Sequence, residues 1–189
     1  LLHEQSRVWL EEIIPQLRKA GILIHTSSTL TDAKRKLLRK YFFREIFPVL
    51  TPLAFDKSHP FPFISNLALN LAVILRHPGT HEELFARIKI PTKLFSRLIE
   101  LPVDPQTKKN YDVQEFIFLE DLIADNLDLL FPGMEILAAY PFRVTRDADI
   151  EIEEDEADDL LSAVEQSISK RWIGTPVRIE IAEEMNPAI

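Results

Sequence analysis

Apolar residues recur at helical spacing at the start of the chain and predict an N-terminal helical arm over residues 1–20. Gly21 follows at the position where a helix end favours glycine. Pro15 lies inside the arm and has no amide hydrogen, so we expect the helix to kink or to restart there. Residues 21–25, a glycine followed by three aliphatic residues and a histidine, predict a short extended piece after the arm.

A second amphipathic helix is predicted from about Asp32 to Phe47. Thr29 or Thr31 can cap its first turn, and Pro48 ends it. Six Lys and Arg residues lie within 34–44, beside an apolar side. We call this element the basic helix. It is either the solvated side of a packed helix, which is the more usual arrangement, or a site for a polyanion.

The middle of the chain begins with a connector rich in proline and aromatic residues, 48–63, which cannot be an α-helix. After it, strand-like runs alternate with two further helices. The predicted strands are 67–76, 83–90, 96–101, 115–118, 134–140, 141–152 and 175–182, and the predicted helices are 119–130 and 156–170. This order predicts the α/β (α+β) class, with a single mixed β-sheet and flanking helices after the N-terminal helical arm.

Composition excludes several kinds of chemistry. The 189 residues include no cysteine, which excludes disulfides, thiol catalysis and cysteine-ligated zinc. Four glycines and the lack of a glycine-rich phosphate motif argue against a self-contained nucleotide-binding domain. No histidine spacing predicts a metal site, and no Ser/His/Asp order defines a nucleophile. The longest apolar run, 67–75, is too short for a transmembrane segment.

Charge is spread unevenly along the chain. The net charge is −8, yet residues 1–46 carry nine Lys and Arg against five Asp and Glu. Residues 147–159 contain nine acids, which are expected to form a solvated face at the start of a helix. An acidic chain attracts nucleic acid poorly, since attraction to phosphates dominates such binding, so no nucleic-acid partner is expected. A local basic surface can still attract a polyanion.

Three side chains are candidates for contact with an anion or a partner: His59, Arg143 and Arg146. His59 stands in the stretch HPFPF, where it can reach a phosphate or carry a proton, or else make only a local hydrogen bond. Arg143 and Thr145 share a face of a strand or turn, which suits an anion. The alternative is that both arginines neutralise Asp147 and the acids that follow it.

The most specific signal lies in three long segments. They are YFFREIFPVLTPLAFDKSHPFPFISNLALNLAVIL (41–75), FLEDLIADNLDLLFPGMEILAAYPFRVTRDADIEIEEDEADDLL (118–161) and PVRIEIAEEMNP (176–187). Together they closely resemble the middle, or head, domain of bacterial polyphosphate kinase of the phosphohistidine type. Residues 1–20 resemble the helix that joins the small N-terminal domain of this family to the head, so the head itself is expected over 21–189.

The resemblance implies a parent enzyme that uses Mg²⁺ and reversibly transfers the terminal phosphate of ATP to inorganic polyphosphate. It also implies a cytoplasmic enzyme with peripheral membrane association in its full-length form. In the family, the phosphorylated histidine lies in the C-terminal domains, and none of the five histidines here matches its motif. No catalytic or metal-binding residue is therefore assigned, and no tightly bound cofactor is expected. Because the chain has neither an initiating Met nor a signal peptide, we expect it to begin inside a longer protein.

The resemblance further implies a non-catalytic role for the head, in contacts between the subunits of a homo-oligomer and in lining the polyphosphate channel. The remaining domains of the same polypeptide are then partners as well. His59, Arg143 and Arg146 are the residues expected to face the channel or the subunit interface. Two alternatives remain open: a pure interaction module that binds no phosphate, and a regulatory domain that binds a nucleotide or phosphate.

Overall fold

A computed structural model describes residues 2–55, 63–102, 113–147 and 174–185. The chain divides into two compact units. The first unit consists of Leu1–Leu50 and Pro91–Gly133, and the second consists of Thr51–Ile90 and Met134–Ile189.

Short helices and strands alternate within the described ranges. The α-helices are α1 (Leu2–Val8), α2 (Ile14–Lys19), α3 (Asp32–Tyr41), α4 (Leu119–Ala124) and α5 (Leu127–Leu130), with π-helical turns at Trp9–Ile13 and Phe42–Ile46 and 3₁₀ turns at Ser27–Thr29 and Phe47–Val49. The strands are β1 (Ile22–His25), β2 (Leu53–Phe55), β3 (Leu69–Arg76), β4 (Glu83–Lys89), β5 (Leu98–Glu100), β6 (Gln114–Phe118), β7 (Glu135–Arg146) and β8 (Pro176–Ile181). None of the helices in the described ranges is long and apolar enough to cross a membrane.

The N-terminal arm is a helical run whose geometry changes just before Pro15. The amide of Ile14 bonds to the carbonyl of Trp9 in the π-helical turn, and α2 then begins with Pro15 in its first turn. Because proline has no amide hydrogen, it cannot complete the ordinary bond to the residue four positions earlier, and a wider turn accommodates this gap. Gly21, with φ +80°, follows the end of α2. The predicted restart near Pro15 and the predicted helix end are both confirmed.

The three-stranded sheet of the first unit has β6 at its centre, with β1 parallel and β5 antiparallel to it. The basic helix forms α3 and the π-helical turn after it, with Leu38, Phe42 and Ile46 buried. Full burial of one such side chain contributes about 1.5–3 kcal/mol. The backbone amide of Lys34 donates to the hydroxyl of Thr31 at 3.4 Å, so the predicted cap is confirmed.

The helix predicted over 119–130 is divided into α4 and α5. Asn126 is buried at the break, and its side-chain amide donates to the carbonyl of Leu122 at 2.8 Å. Such a bond from a side chain to the backbone competes with the hydrogen bonds that would continue a helix. Gly133, with φ +80°, then stands in the turn before β7, where the sequence predicts a stop.

The five-stranded sheet of the second unit has the order β2-β4-β3-β7-β8, and all its neighbouring strands are antiparallel. On one face, Leu71, Val73 and Ile88 are buried. The other face carries a smaller apolar cluster. Its members are Ile64, Ala72, Phe142 and Val144, with Phe85 and Met185 packed against them.

The α/β (α+β) class and the helical arm are confirmed, but the strands form two sheets rather than the single mixed sheet we expect. The physical reason is that an apolar pattern predicts a strand without predicting its partner. Ile24 pairs with Phe116, for example, and such distant pairing leaves no local signal. Strand β2 also forms inside the predicted connector. The helix predicted over 156–170 lies outside the described residues, and the division into an arm and a head at residues 20 and 21 stays a prediction.

Candidate functional site

Arg143 lies on β7 and, as its spacing predicts, shares a face with Thr145. Its Nε donates to Oε2 of Glu180 at 2.5 Å, and Glu180 stands directly opposite it on β8. Arg178 donates to the other carboxylate oxygen of Glu180 at 2.6 Å. The hydrogen bond from Arg143 holds the pKa of Glu180 below its usual range. Arg143 is therefore paired with a carboxylate of its own unit, which it shares with Arg178.

Arg146 ends β7 and holds neighbouring chain segments of the second unit together. Its Nε donates to the carbonyl of Ile64 and its NH1 to the carbonyl of Gly174, each at 2.7 Å. The guanidinium carbon lies 4.4 Å from the centroid of the Phe63 ring. The backbone amide of Arg146 also donates to Oδ1 of Asn66 at 2.9 Å. These contacts give Arg146 a structural role, whatever else it binds.

The described residues do not bring the three candidates together at one point. His59 lies outside the described residues, while Arg143 and Arg146 have separate partners. Their predicted position in a channel or at a subunit interface stays a prediction.

The basic helix is largely neutralised by acids of the first unit. Arg39 binds both carboxylate oxygens of Asp128, at 2.9 and 2.6 Å, and this hydrogen bonding lowers the pKa of Asp128. The other pairs are Lys34 with Glu115, Arg35 with Asp125 and Arg44 with Glu45. Among the described residues, Lys36 and Lys40 have no carboxylate partner. This pairing favours the solvated side of a packed helix over a polyanion site.

A polar network lies where β1 ends. Nε2 of His25 is 2.9 Å from Oε1 of Glu115, and its Nδ1 is 3.2 Å from the hydroxyl of Thr29. Partial burial raises the pKa of Glu115, but hydrogen bonds and charge from Lys34 and His25 outweigh that effect, so the pKa lies below its usual range. The Thr29 hydroxyl donates to the carbonyl of Thr26 at 3.0 Å and accepts from its amide at 2.9 Å. Thr29 therefore serves as a turn cap rather than as an activated nucleophile.

A cavity of about 200 Å³ lies beside this network. Its lining is mostly aliphatic, with Arg18, His25 and Thr29 as polar members. Pockets for small ligands are usually about 300 Å³ or more, so this cavity is small for a ligand site. No group of three or more metal-ligating side chains is found in the part of the chain that the structure describes.

A buried arginine in the second unit is absent from the predicted set. Arg87 lies in β4 and is 7% exposed, and its Nε donates to Oδ1 of Asn70 at 2.9 Å. Asn70 is fully buried, and its Nδ2 donates to the carbonyl of Ala68 at 2.7 Å. Burial lowers the pKa of the Arg87 guanidinium. One feature of the sequence could have indicated that Arg87 is buried. In the strand ELFARIK, Arg87 lies among apolar residues at the centre, on the same strand face as Phe85 and Lys89.

With its two sheets and helical arm, the chain is an α/β domain of a known family. The family model described as the polyphosphate kinase middle domain matches residues 33–189. The chain therefore belongs to the polyphosphate kinase middle-domain family.

Several proteins similar to this chain are named polyphosphate kinase. A polyphosphate kinase of Aphanizomenon baltica is 50% identical over 191 residues, which is 100% of this chain and 49% of the relative. One from Mycolicibacterium gilvum is 45% identical over 184 residues, covering 97% of this chain and 25% of the relative. The crystal structure of polyphosphate kinase from Porphyromonas gingivalis matches with a TM-score of 0.67 and 29% identity, over 88% of this chain and 27% of that one. The chain thus spans about half or less of the relatives it matches.

Proposed function

We propose that this chain is the middle-domain part of an enzyme that reversibly transfers the terminal phosphate of ATP to inorganic polyphosphate. The observation that carries the proposal is the match to the polyphosphate kinase middle-domain family over residues 33–189. Relatives named polyphosphate kinase support it, at up to 50% identity over the part of their length that this chain matches. The parent enzyme is proposed to use Mg²⁺ and to act in the cytoplasm, with peripheral membrane association.

The transfer itself is proposed to occur outside these residues, through a phosphohistidine in another domain of the same polypeptide. The length of the relatives supports a reaction site in another domain, because three quarters of the Mycolicibacterium gilvum relative lies beyond the region that this chain matches. Phosphoryl transfer depends on positioned phosphates and metal ions, so such an enzyme needs a binding path for its polymer as well as a reactive group. The middle domain is proposed to line that path.

The same domain is proposed to make contacts between subunits. The first unit supports this role, since large apolar side chains are exposed on its surface. Phe43 is 59% exposed and stacks on Phe47 with a centroid distance of 5.5 Å, and Leu94 is 69% exposed. Exposed aromatic and aliphatic groups of this kind are typical of interfaces between proteins.

One observation favours the second candidate function, a pure interaction module. Arg143 and four of the six cations of the basic helix already pair with carboxylates, so they offer little free charge to a polyanion. This module would keep the subunit contacts of the first proposal and lack its phosphate binding.

Calorimetric titration of the chain with long-chain polyphosphate, and separately with ATP and Mg²⁺, separates these functions. We expect saturable polyphosphate binding that weakens between low and physiological salt. Arg143→Ala should weaken polyphosphate binding. Arg178→Ala is the matched control, because Arg178 binds the same Glu180, and it should leave polyphosphate binding unchanged. No heat with polyphosphate would contradict the channel role and leave the interaction module. Binding of ATP alone would favour the regulatory domain instead.

The subunit contact is tested by sedimentation over a range of protein concentrations. We expect a concentration-dependent dimer that Phe43→Ser weakens. Leu10→Ser serves as the control because Leu10 is as exposed, at 65%, but lies on the N-terminal arm. A monomer at every concentration would contradict a subunit contact made by this domain alone.

A further inference from the structure

The charge of Arg87 has no counter-ion among the described residues of the second unit. Its one hydrogen bond is to the neutral amide of Asn70, and no ion pair links it to a carboxylate in the part of the chain that the structure describes. An arginine cannot lose its proton at physiological pH. An arginine side chain that is mostly withdrawn from water without a counter-ion destabilises the folded state. A ligand of opposite charge would offset that cost.

The terminal nitrogens of Arg87 are reachable from solvent. Among the described residues, one buried side-chain polar atom lacks a hydrogen-bond partner, and it is Oε2 of Glu120. NH1 and NH2 of Arg87 also have no hydrogen-bond partner among the described residues, but both nitrogens retain contact with solvent. The guanidinium is therefore fixed through Nε, while its outer edge can donate to a ligand.

The surroundings hold this edge in place and add positive charge. Asn70 is itself fixed by the carbonyl of Ala68, so it orients the guanidinium plane. Lys89 lies two residues along β4, on the same face, and its Nζ is 3.4 Å from the hydroxyl of Ser65. Directly opposite Arg87 stand Leu53 on β2 and Ala72 on β3, both apolar. An apolar surround strengthens any bond from the guanidinium to an anion.

We propose that Arg87, oriented by Asn70 and flanked by Lys89, is a binding site for a phosphate oxyanion. Two parallel N–H donors of an arginine edge match two oxygens of one phosphate group, and Lys89 adds a second positive charge beside them. The site rests on the geometry of the second unit, whereas its assignment to one phosphate of a polyphosphate chain rests on the proposed function. Arg87 then adds a phosphate contact to the one proposed for Arg143.

The test measures affinity and stability in the chain and two variants, with inorganic phosphate, tripolyphosphate, long-chain polyphosphate and citrate at matched ionic strength. In Arg87→Met we expect at least a tenfold loss of tripolyphosphate affinity. Arg76→Met is the matched control, because Arg76 lies on the adjacent strand β3 but pairs with Glu83 at 2.9 Å and Glu135 at 3.5 Å. We expect its affinity to change less than twofold.

Stability without ligand separates a binding role from a structural one. Arg87→Met leaves no carboxylate of the described residues unpaired, but it removes the donor to the buried Oδ1 of Asn70, so we expect a modest fall in the unfolding temperature together with the loss of affinity. A lower unfolding temperature with unchanged phosphate affinity would overturn the proposal and make Arg87 a structural residue. If Arg87→Met does not fold, exposed Lys89→Gln replaces it: a loss of threefold or more in affinity supports the site, and an unchanged affinity overturns it.

The remaining outcomes distinguish the site from the proposed function. Polyphosphate binding that is unaffected by Arg87→Met would overturn the site and leave the channel role intact. Binding of inorganic phosphate and tripolyphosphate through Arg87, without binding of the long polymer, would support the site and contradict the channel role. Equal affinity for citrate and tripolyphosphate would overturn the assignment to phosphate.

Discussion

The two compact units differ in whether their buried charged side chain has a partner of opposite charge. In the first unit, Glu120 is almost fully buried, and Arg97 donates to its Oε1 from Nε at 2.8 Å and from NH2 at 2.5 Å. In the second unit, Arg87 is buried to a similar degree, but among the described residues its side chain bonds only to the neutral side chain of Asn70. A buried charge with an opposite charge beside it can be explained by the fold alone. A buried charge without one among the described residues is available to a ligand.

The largest effect is expected from breaking the pair in the first unit. Arg97→Met leaves Glu120 buried and unpaired, so we expect a loss of about 2–4 kcal/mol in the free energy of unfolding. Urea denaturation measures it. Arg87→Met is the comparison and should lose less, since it leaves only the neutral amide oxygen of Asn70 without its donor. A loss of equal size in both variants would contradict the distinction between the two units.

A smaller effect, with a characteristic pH dependence, is expected at Asp121. Burial, followed by the nearby charges of Glu120 and Asp125, raises the pKa of Asp121 to about 6. The folded state therefore holds this proton more tightly than the unfolded state, in which the pKa is near 3.8. The stability from this group is present below about pH 4 and is lost as the pH rises to about 6.

Asp121→Asn removes that penalty at neutral pH. We expect it to raise the free energy of unfolding by about 1–2 kcal/mol at pH 7.5, a figure reduced to allow for the partial exposure of the group, and by much less at pH 4. Asp128→Asn is the opposite control, because the hydrogen bond from Arg39 lowers the pKa of Asp128. It should destabilise the protein slightly at pH 7.5. The same pH profile in Asp121→Asn as in the unchanged protein would refute the raised pKa.

The smallest effect is expected at the surface pair of the second unit. Arg143 is about half exposed beside Glu180, and exposed ion pairs contribute about 0–1 kcal/mol. Arg143→Ala should therefore change the free energy of unfolding by no more than about 1 kcal/mol, and less in high salt. A loss above this range, measured in urea at two salt concentrations, would show that Arg143 is structural.

Local signals predicted most of the helical elements. Pro15, Gly21 and Thr31 act within one turn of their own position, so their effects follow from the neighbouring residues. Strand positions were predicted nearly as well, since alternation is also local. The number of sheets was not predicted from the sequence, because β1 pairs with β6 across about ninety residues of chain.

The candidate site shows the same limit. Spacing correctly places Arg143 and Thr145 on one face of β7, but the partner of Arg143 is Glu180, 37 residues away, and no local pattern indicates it. Arg87 was missed because one arginine in a short strand looks like an exposed position. Its burial depends on the strands beside it, as the bond to Asn70 of β3 shows.

The sequence by itself determined the family, the α/β class, the helical arm and the position of most helices and strands, since these depend on long motifs and on neighbouring residues. Only the tertiary structure decided which charges are balanced. It pairs Arg143 and three of the six cations of the basic helix with distant carboxylates and leaves Arg87 without one among the described residues. The physical reason is that the cost of a charge depends on burial and on groups within a few ångströms, and folding brings those groups together from distant parts of the chain.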